Sequence, residues 1–155
     1  MTPKAVLIVA TLATAAPLTG AARTPNADGR PPILRAVGLD QRLDAQVPLD
    51  VVFRDERGVP VQLSAFFRGK PVILTLNYYA CPMLCTLVLN DVLRAMRAMP
   101  LTIGRDFEVL TVSFDPRETP ALAADKKRAY IESYDEPGAA DGWHFLTGKD
   151  HSIRA

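Results

Sequence analysis

The sequence predicts an α/β domain built on a largely parallel sheet. Three observations carry that prediction. Two apolar, β-branched runs, at 72–77 and 107–114, read as strands buried in a sheet. Helical periodicity follows each of them, and a turn-rich hairpin precedes the first. Strands alternating with helices give a βαβ sheet, to which the hairpin adds an antiparallel piece.

The chain is 155 residues long, with 48% hydrophobic and 23% charged residues, and 18 Lys+Arg stand against 17 Asp+Glu. This balance fits a globular domain and excludes a disordered or fibrous chain. A formal charge of +1 leaves no electrostatic footprint for nucleic acid, so no nucleic-acid partner is expected. Two cysteines cannot make a disulfide-dense scaffold, and their meaning lies in their position.

Residues 1–22 carry a single charge, Lys4. The run 5–18 is apolar apart from Thr11 and Thr14, Pro17 interrupts its end, and Gly20, Ala21 and Ala22 follow. A short positive start, an apolar stretch and small residues at the end describe a secretory signal peptide. An uncleaved anchor, tethering the chain to the inner membrane, is the competing reading, although a spanning helix needs about 20 apolar residues. The chain is therefore expected in the periplasm and close to the membrane, where two cysteines can pair. Residues 23–32, rich in Pro, Gly and polar side chains, read as a flexible linker. The domain is expected over 33–155, and a monomer is expected.

Within it, 33–49 has scattered apolar residues and reads as an extended or short-strand lead-in. Residues 51–54 and 59–63 flank the turn Asp55-Glu56-Arg57-Gly58 and form the hairpin. Phe66 and Phe67 are expected to pack inward. After the strand at 72–77, Leu84, Leu87, Val88, Val92, Ala95, Met96 and Met99 recur at helical spacing, and Pro100 stops the helix. After the strand at 107–114, Thr119 caps a helix with Pro120 at its first position, running to about Tyr134. Residues 137–142 read as a loop, 143–146 as a third strand, and Ser152-Ile153 as the start of another helix. The first buried strand thus delivers the chain to a loop holding both cysteines at a helix N-terminus, which is thioredoxin-like architecture.

Cys81-Pro82-Met83-Leu84-Cys85 is the chemical centre. The spacing is C-x-x-x-C rather than the C-x-x-C of ordinary dithiol oxidoreductases. Residues four apart on a helix share a face, so the two sulfurs can converge. A helix N-terminus favours thiolate, and thiolates select copper(I) or zinc. Two ligands do not close a zinc site, which wants four. A structural disulfide is the plain alternative, but so short a loop constrains little of the unfolded chain. A thiol peroxidase is disfavoured because its Thr three residues before the reactive cysteine is replaced here by Tyr78 or Pro82.

The segment 77–86 (Asn-Tyr-Tyr-Ala-Cys-Pro-Met-Leu-Cys-Thr) closely resembles the Sco/SenC (also PrrC) family of copper-binding, thioredoxin-fold proteins. Residues 112–120, Val-Ser-Phe-Asp-Pro-Arg-Glu-Thr-Pro, resemble its S-x-D-P-x-x-D/E-T-P segment, and 142–148 resemble a later strand. The resemblance covers about 33–155. It implies a copper metallochaperone, carrying Cu(I) or Cu(II), that assists assembly of the copper centre of cytochrome c oxidase. Its partner would be the copper-bearing oxidase subunit or another copper chaperone. It also implies copper held by Cys81, Cys85 and a later histidine. His151, in Asp150-His151-Ser152, lies out of register for that ligand, because Asp150 or Ser152 reads as a helix N-cap. His144, between Trp143 and Phe145, reads as a packed or edge histidine. The expectation is a chain truncated before its third ligand, with the C-terminal part of the domain missing.

Asp115 falls at the C-terminal end of the second buried strand, where open α/β sheets place their sites. It is expected in the second shell of the metal loop or in partner docking, with a plain turn before Pro116 as the alternative. Met83 is expected to pack beneath the site, Tyr78 and Tyr79 to wall it, and Lys126, Lys127 and Arg128 to form a solvated helix face. A second function stays open: Cys81 and Cys85 as the attacking and resolving thiols of a thiol-disulfide oxidoreductase acting on an exported partner.

Overall fold

The computed structural model describes residues 42–155. The expected signal peptide, the linker and the first part of the lead-in lie outside the described residues. Among residues 42–49 there are turns but no strand. Residues Asp44–Ala155 pack together as a compact unit.

Strands β1 (Val52–Arg54) and β2 (Pro60–Gln62) form the antiparallel hairpin, with Phe53 opposite Val61. Asp55 builds its turn: one carboxylate oxygen accepts the N–H groups of Arg57 and Val59, at 3.0 and 2.8 Å. Gly58 takes φ +80°, a conformation that side chains other than glycine resist. A short 3-10 turn over Leu63–Phe66 leads out of the hairpin.

Strands β3 (Val72–Asn77), β4 (Glu108–Ser113) and β5 (Trp143–Leu146) make a parallel sheet in the order β3-β4-β5. Parallel neighbours require crossovers. These are α1 (Leu84–Ala98), between β3 and β4, and α2 (Pro120–Tyr134), between β4 and β5. Thr119 caps α2 as its sequence predicts, its hydroxyl accepting the Leu122 N–H at 3.3 Å. The predicted loop at 137–142 contains a single helical turn, α3 (Ala139–Gly142), opened by Gly138 at φ +83°. The chain closes with α4 (Asp150–Ile153), whose N-cap is Lys149 rather than Asp150 or Ser152. The Ser152 hydroxyl is spent on the Val52 carbonyl, at 2.8 Å.

Two apolar clusters sandwich the sheet. On one face Leu89, Leu93 and Met96 of α1 and Ala123, Tyr130 and Tyr134 of α2 meet Val109, Trp143 and Phe145. On the other, Phe53 and Leu63 cover Leu110, Val112 and Leu146, with Phe66 and Phe67 packed alongside as expected. The hairpin is tied to the sheet where Arg54 and Thr147 exchange backbone hydrogen bonds of 2.7 and 2.9 Å.

Two burial expectations change. β3 is not buried on both faces: among the described residues it pairs only with β4, and Leu76 is 64% exposed. The α1 stripe is displaced as well. Leu84, Leu87 and Val88 face outward, whereas Leu89, Leu93 and Met96 form the buried seam. α1 carries apolar residues around most of its first two turns, so spacing alone admits either face.

Candidate metal centre

β3 ends at Asn77, and the next residues are fastened before the cysteines are reached. Asn77 accepts the Phe114 N–H through its carbonyl at 3.1 Å, and its side-chain amide donates to the Cys85 carbonyl at 3.3 Å. Tyr79 is fully buried; its phenol oxygen sits 2.6 Å from the Thr111 carbonyl and 2.9 Å from that of Leu146. It therefore anchors the loop from below rather than walling it. Burial, assisted by the negative charge of Glu118, pushes its phenol well above the ordinary range. Tyr78 stays half-buried against Phe114, with ring centroids 6.2 Å apart.

Cys81 follows in a turn, its N–H donating to the Tyr78 carbonyl at 3.3 Å and its carbonyl accepting the Thr86 hydroxyl at 3.0 Å. Cys85 lies in the first turn of α1. Both are free thiols, both partly exposed. The N–H groups of Cys85 and Met83 hold the Cys81 thiol below its ordinary range, helped by the Cys85 side chain and the Leu84 N–H. Cys81 thus lies three residues before α1 and Cys85 is the second residue of that helix. Peptide N–H groups aimed at one sulfur stabilise thiolate, the form that binds soft metals and attacks disulfides.

Met83 does not pack beneath the site. It occupies the N-cap position of α1 and is 64% exposed. What lies beneath Cys85 is a cavity of about 10 Å³ lined by Asn77, Thr86, Leu89, Lys126 and Tyr130. It has room for about one water. Lys127 is not solvated either; it pairs with Glu56 of the hairpin turn.

Neither histidine stands with the cysteines. His144 aligns through β4 with Leu74, three residues before the end of β3. Its ring packs on Phe66 at 4.6 Å and lies 3.8 Å from Glu108. Burial, with the Lys127 charge, lowers its pKa. This is the packed histidine the sequence suggests. His151 is exposed on α4 and lines a separate cavity of about 500 Å³ between β1 and the start of α2. Among the described residues no group of three or more His, Cys, Asp or Glu side chains is arranged to hold a metal.

The acidic segment after β4 divides its labour. Asp115 pairs with Arg117 at 2.6 Å and accepts the Arg117 N–H at 2.9 Å. That guanidinium holds the Asp115 carboxyl down at about 2. The carboxylate bonded to the cysteine loop is Glu118, which sequence reasoning did not single out. Its oxygens accept the N–H groups of Tyr79 and Ala80, at 2.9 and 2.7 Å, and the Ser113 hydroxyl at 2.5 Å.

A parallel sheet flanked by crossover helices, with a dithiol loop between a strand and the next helix, defines a thioredoxin-like dithiol protein. Comparison with known proteins narrows that class. The SCO1/SenC family profile matches residues 41–155, and the chain belongs to that family. Among solved structures it is similar to a candidate electron transfer protein from Aquifex aeolicus VF5, at 28% identity and a TM-score of 0.59, over 70% of this chain and 60% of that one. Apo Sco1 from Thermus thermophilus matches at 28% identity and a TM-score of 0.52, over 74% of this chain and 60% of that one. Copper-bound ScoI from Arabidopsis thaliana shares the fold at 22% identity and a TM-score of 0.51, over 67% of this chain and 59% of that one. The chain thus spans about 60% of the length of the first two. No curated protein matches it.

Proposed function

We propose that this chain is a copper carrier that holds copper(I) through Cys81 and Cys85. The observation that carries the reading is the pair of free, partly exposed thiols that flank the start of α1. Two soft, anionic ligands in a partly exposed loop suit copper(I). They also suit a cargo, because an open two-thiolate site lets a partner's thiolates enter and displace them one at a time. Copper keeps its oxidation state in such an exchange, and each released thiolate is free to take up a proton. Membership of the SCO1/SenC family, whose fold is shared by a protein solved with copper bound, supports the metal. The partner we infer is a copper-bearing subunit of cytochrome c oxidase or another copper chaperone, met in the periplasm after export by residues 1–22.

A third ligand would come from outside the described cysteine loop, since His144 and His151 stand elsewhere. Copper(II), which prefers nitrogen donors more than copper(I) does, is therefore the less favoured cargo of residues 42–155 by themselves.

The lowered Cys81 thiol favours a second reading, disulfide reduction in a partner. Cys81 thiolate attacks one partner sulfur, and the other leaves as thiolate. Cys85 then attacks Cys81, releasing the partner as a dithiol and leaving a Cys81–Cys85 disulfide. Two electrons pass to the partner, and a further turn needs an external dithiol reductant.

Titration of the reduced protein against a copper(I) chelator of known affinity tests the first reading. Cys81→Ser and Cys85→Ser should each abolish tight binding. Tight binding retained in either variant contradicts it.

A further inference from the structure

The cysteine loop is held from a distance by one carboxylate. Glu118 lies 38 residues beyond Ala80 in sequence, yet it accepts both peptide N–H groups immediately before Cys81, from Tyr79 at 2.9 Å and Ala80 at 2.7 Å. Its geometry is itself fixed. Ser113, fully buried at the end of β4, donates its hydroxyl to Glu118 at 2.5 Å and accepts the Asp115 N–H at 3.1 Å. Asp115 closes the intervening turn through the Arg117 N–H, and its own carbonyl accepts the Glu118 N–H at 3.1 Å. The run from Ser113 to Glu118 therefore curls back on itself and returns a charged side chain to the tip of β3. Charge-assisted bonds to carboxylate are about twice as strong as neutral ones. Two on consecutive N–H groups fix the orientation of the peptide planes leading into Cys81.

We propose that Glu118 is the positioning residue of the dithiol loop: clamped by Ser113, it keeps the metal-free loop in its metal-holding shape and so slows the release of copper. The inference rests on the copper reading of Cys81 and Cys85 for its second half only. The first half concerns the loop of the reduced, metal-free protein. Two further contacts show why no other group substitutes for Glu118. Asp115 is committed to Arg117, and the Tyr79 phenol fixes the ring, not the peptide.

The test uses the full chain as wild type, Glu118→Gln, Glu118→Asp and Ser113→Ala. Amide hydrogen exchange of Tyr79 and Ala80 is read in the reduced metal-free protein. Loss of copper(I) to a chelator is read in the loaded protein. Glu118→Gln keeps the size but replaces one acceptor oxygen by a donor, so exchange at these two amides should rise about tenfold or more, the scale of a lost charged hydrogen bond. Copper(I) should leave several-fold faster. Glu118→Asp should recover part of both, which a merely space-filling role would not require. Unchanged exchange in Glu118→Gln overturns the clamp; faster exchange with copper loss within twofold of wild type overturns its role in holding metal. If Glu118→Gln does not fold, Ser113→Ala carries the same two readings, with smaller increases expected and wild-type values overturning. If wild type takes no copper(I), the copper reading fails. The alkylation rate of Cys81 at fixed pH then stands in for metal release: a changed rate in Glu118→Gln supports the clamp, and an unchanged one overturns it.

Discussion

The phenol oxygen of Tyr79 lies 2.6 Å from the carbonyl oxygen of Thr111, joining the chain two residues before Cys81 to the middle of β4. Thr111 is fully buried and its hydroxyl also receives the Trp143 indole N–H, at 3.0 Å. The loop that carries the cysteines is thus rooted in the aromatic core, and its shape is coupled to the stability of the domain.

Tyr79→Phe should destabilise the domain by about 1–2 kcal/mol, the net value of a buried hydrogen bond. Thermal unfolding of the reduced protein should show a midpoint a few degrees lower, since about 1 kcal/mol shifts a domain of more than 100 residues by roughly 2–6 °C. An unchanged midpoint would show that the phenol contributes nothing to the anchor.

The same contact sets an alkaline limit. The Tyr79 phenol is raised well above 10.0 in the folded state by burial, so between its unfolded and folded values only the unfolded chain ionises. Stability from this group is therefore complete below about pH 10 and falls as pH rises further. Urea unfolding at increasing pH should show that loss in wild type and a smaller one in Tyr79→Phe.

Asp115 works in the opposite direction. Its carboxyl is lowered from 3.8 to about 2 by Arg117. The folded state holds the ionised form more tightly than the unfolded chain does. Its contribution is present above pH 3.8 and is lost as pH falls toward 2. Asp115→Asn should flatten that part of the acid unfolding profile, measured by denaturant titration at fixed temperature.

Gly142 supports β5 by close approach. A Cβ there would collide with the backbone nitrogen and Cα of Gly104. Gly142→Ala forces those two segments apart and should cost about 1–3 kcal/mol, as overpacking does. Chemical denaturation reads this directly, and a change under about 0.5 kcal/mol would contradict the packing described.

Much of this architecture is legible in the chain itself, because it depends on local signals. The strands at 72–77 and 143–146, the Thr119-Pro120 helix start and the Asp55–Gly58 turn follow from composition, capping and turn chemistry over a few residues. The cysteine spacing and its place between a strand and a helix are likewise read from the chain. Burial was less legible. Leu84, Leu87 and Val88 have the same helical spacing as a core face, and only the position of the sheet decides that Leu89, Leu93 and Met96 turn inward. The role of Glu118 could not be read locally, since its partners lie 38 and 39 residues away. The one signal was its place three residues after Asp115, in the acidic segment that also drew attention to Asp115.

If Cys81 and Cys85 together hold copper(I), the metal and the two thiols must titrate as one unit. Native mass spectrometry of the reduced protein with copper(I), paired with a count of alkylatable thiols, reads both. One copper per chain is expected, with both thiols protected together at one equivalent. Copper bound while either thiol stays fully reactive would contradict it.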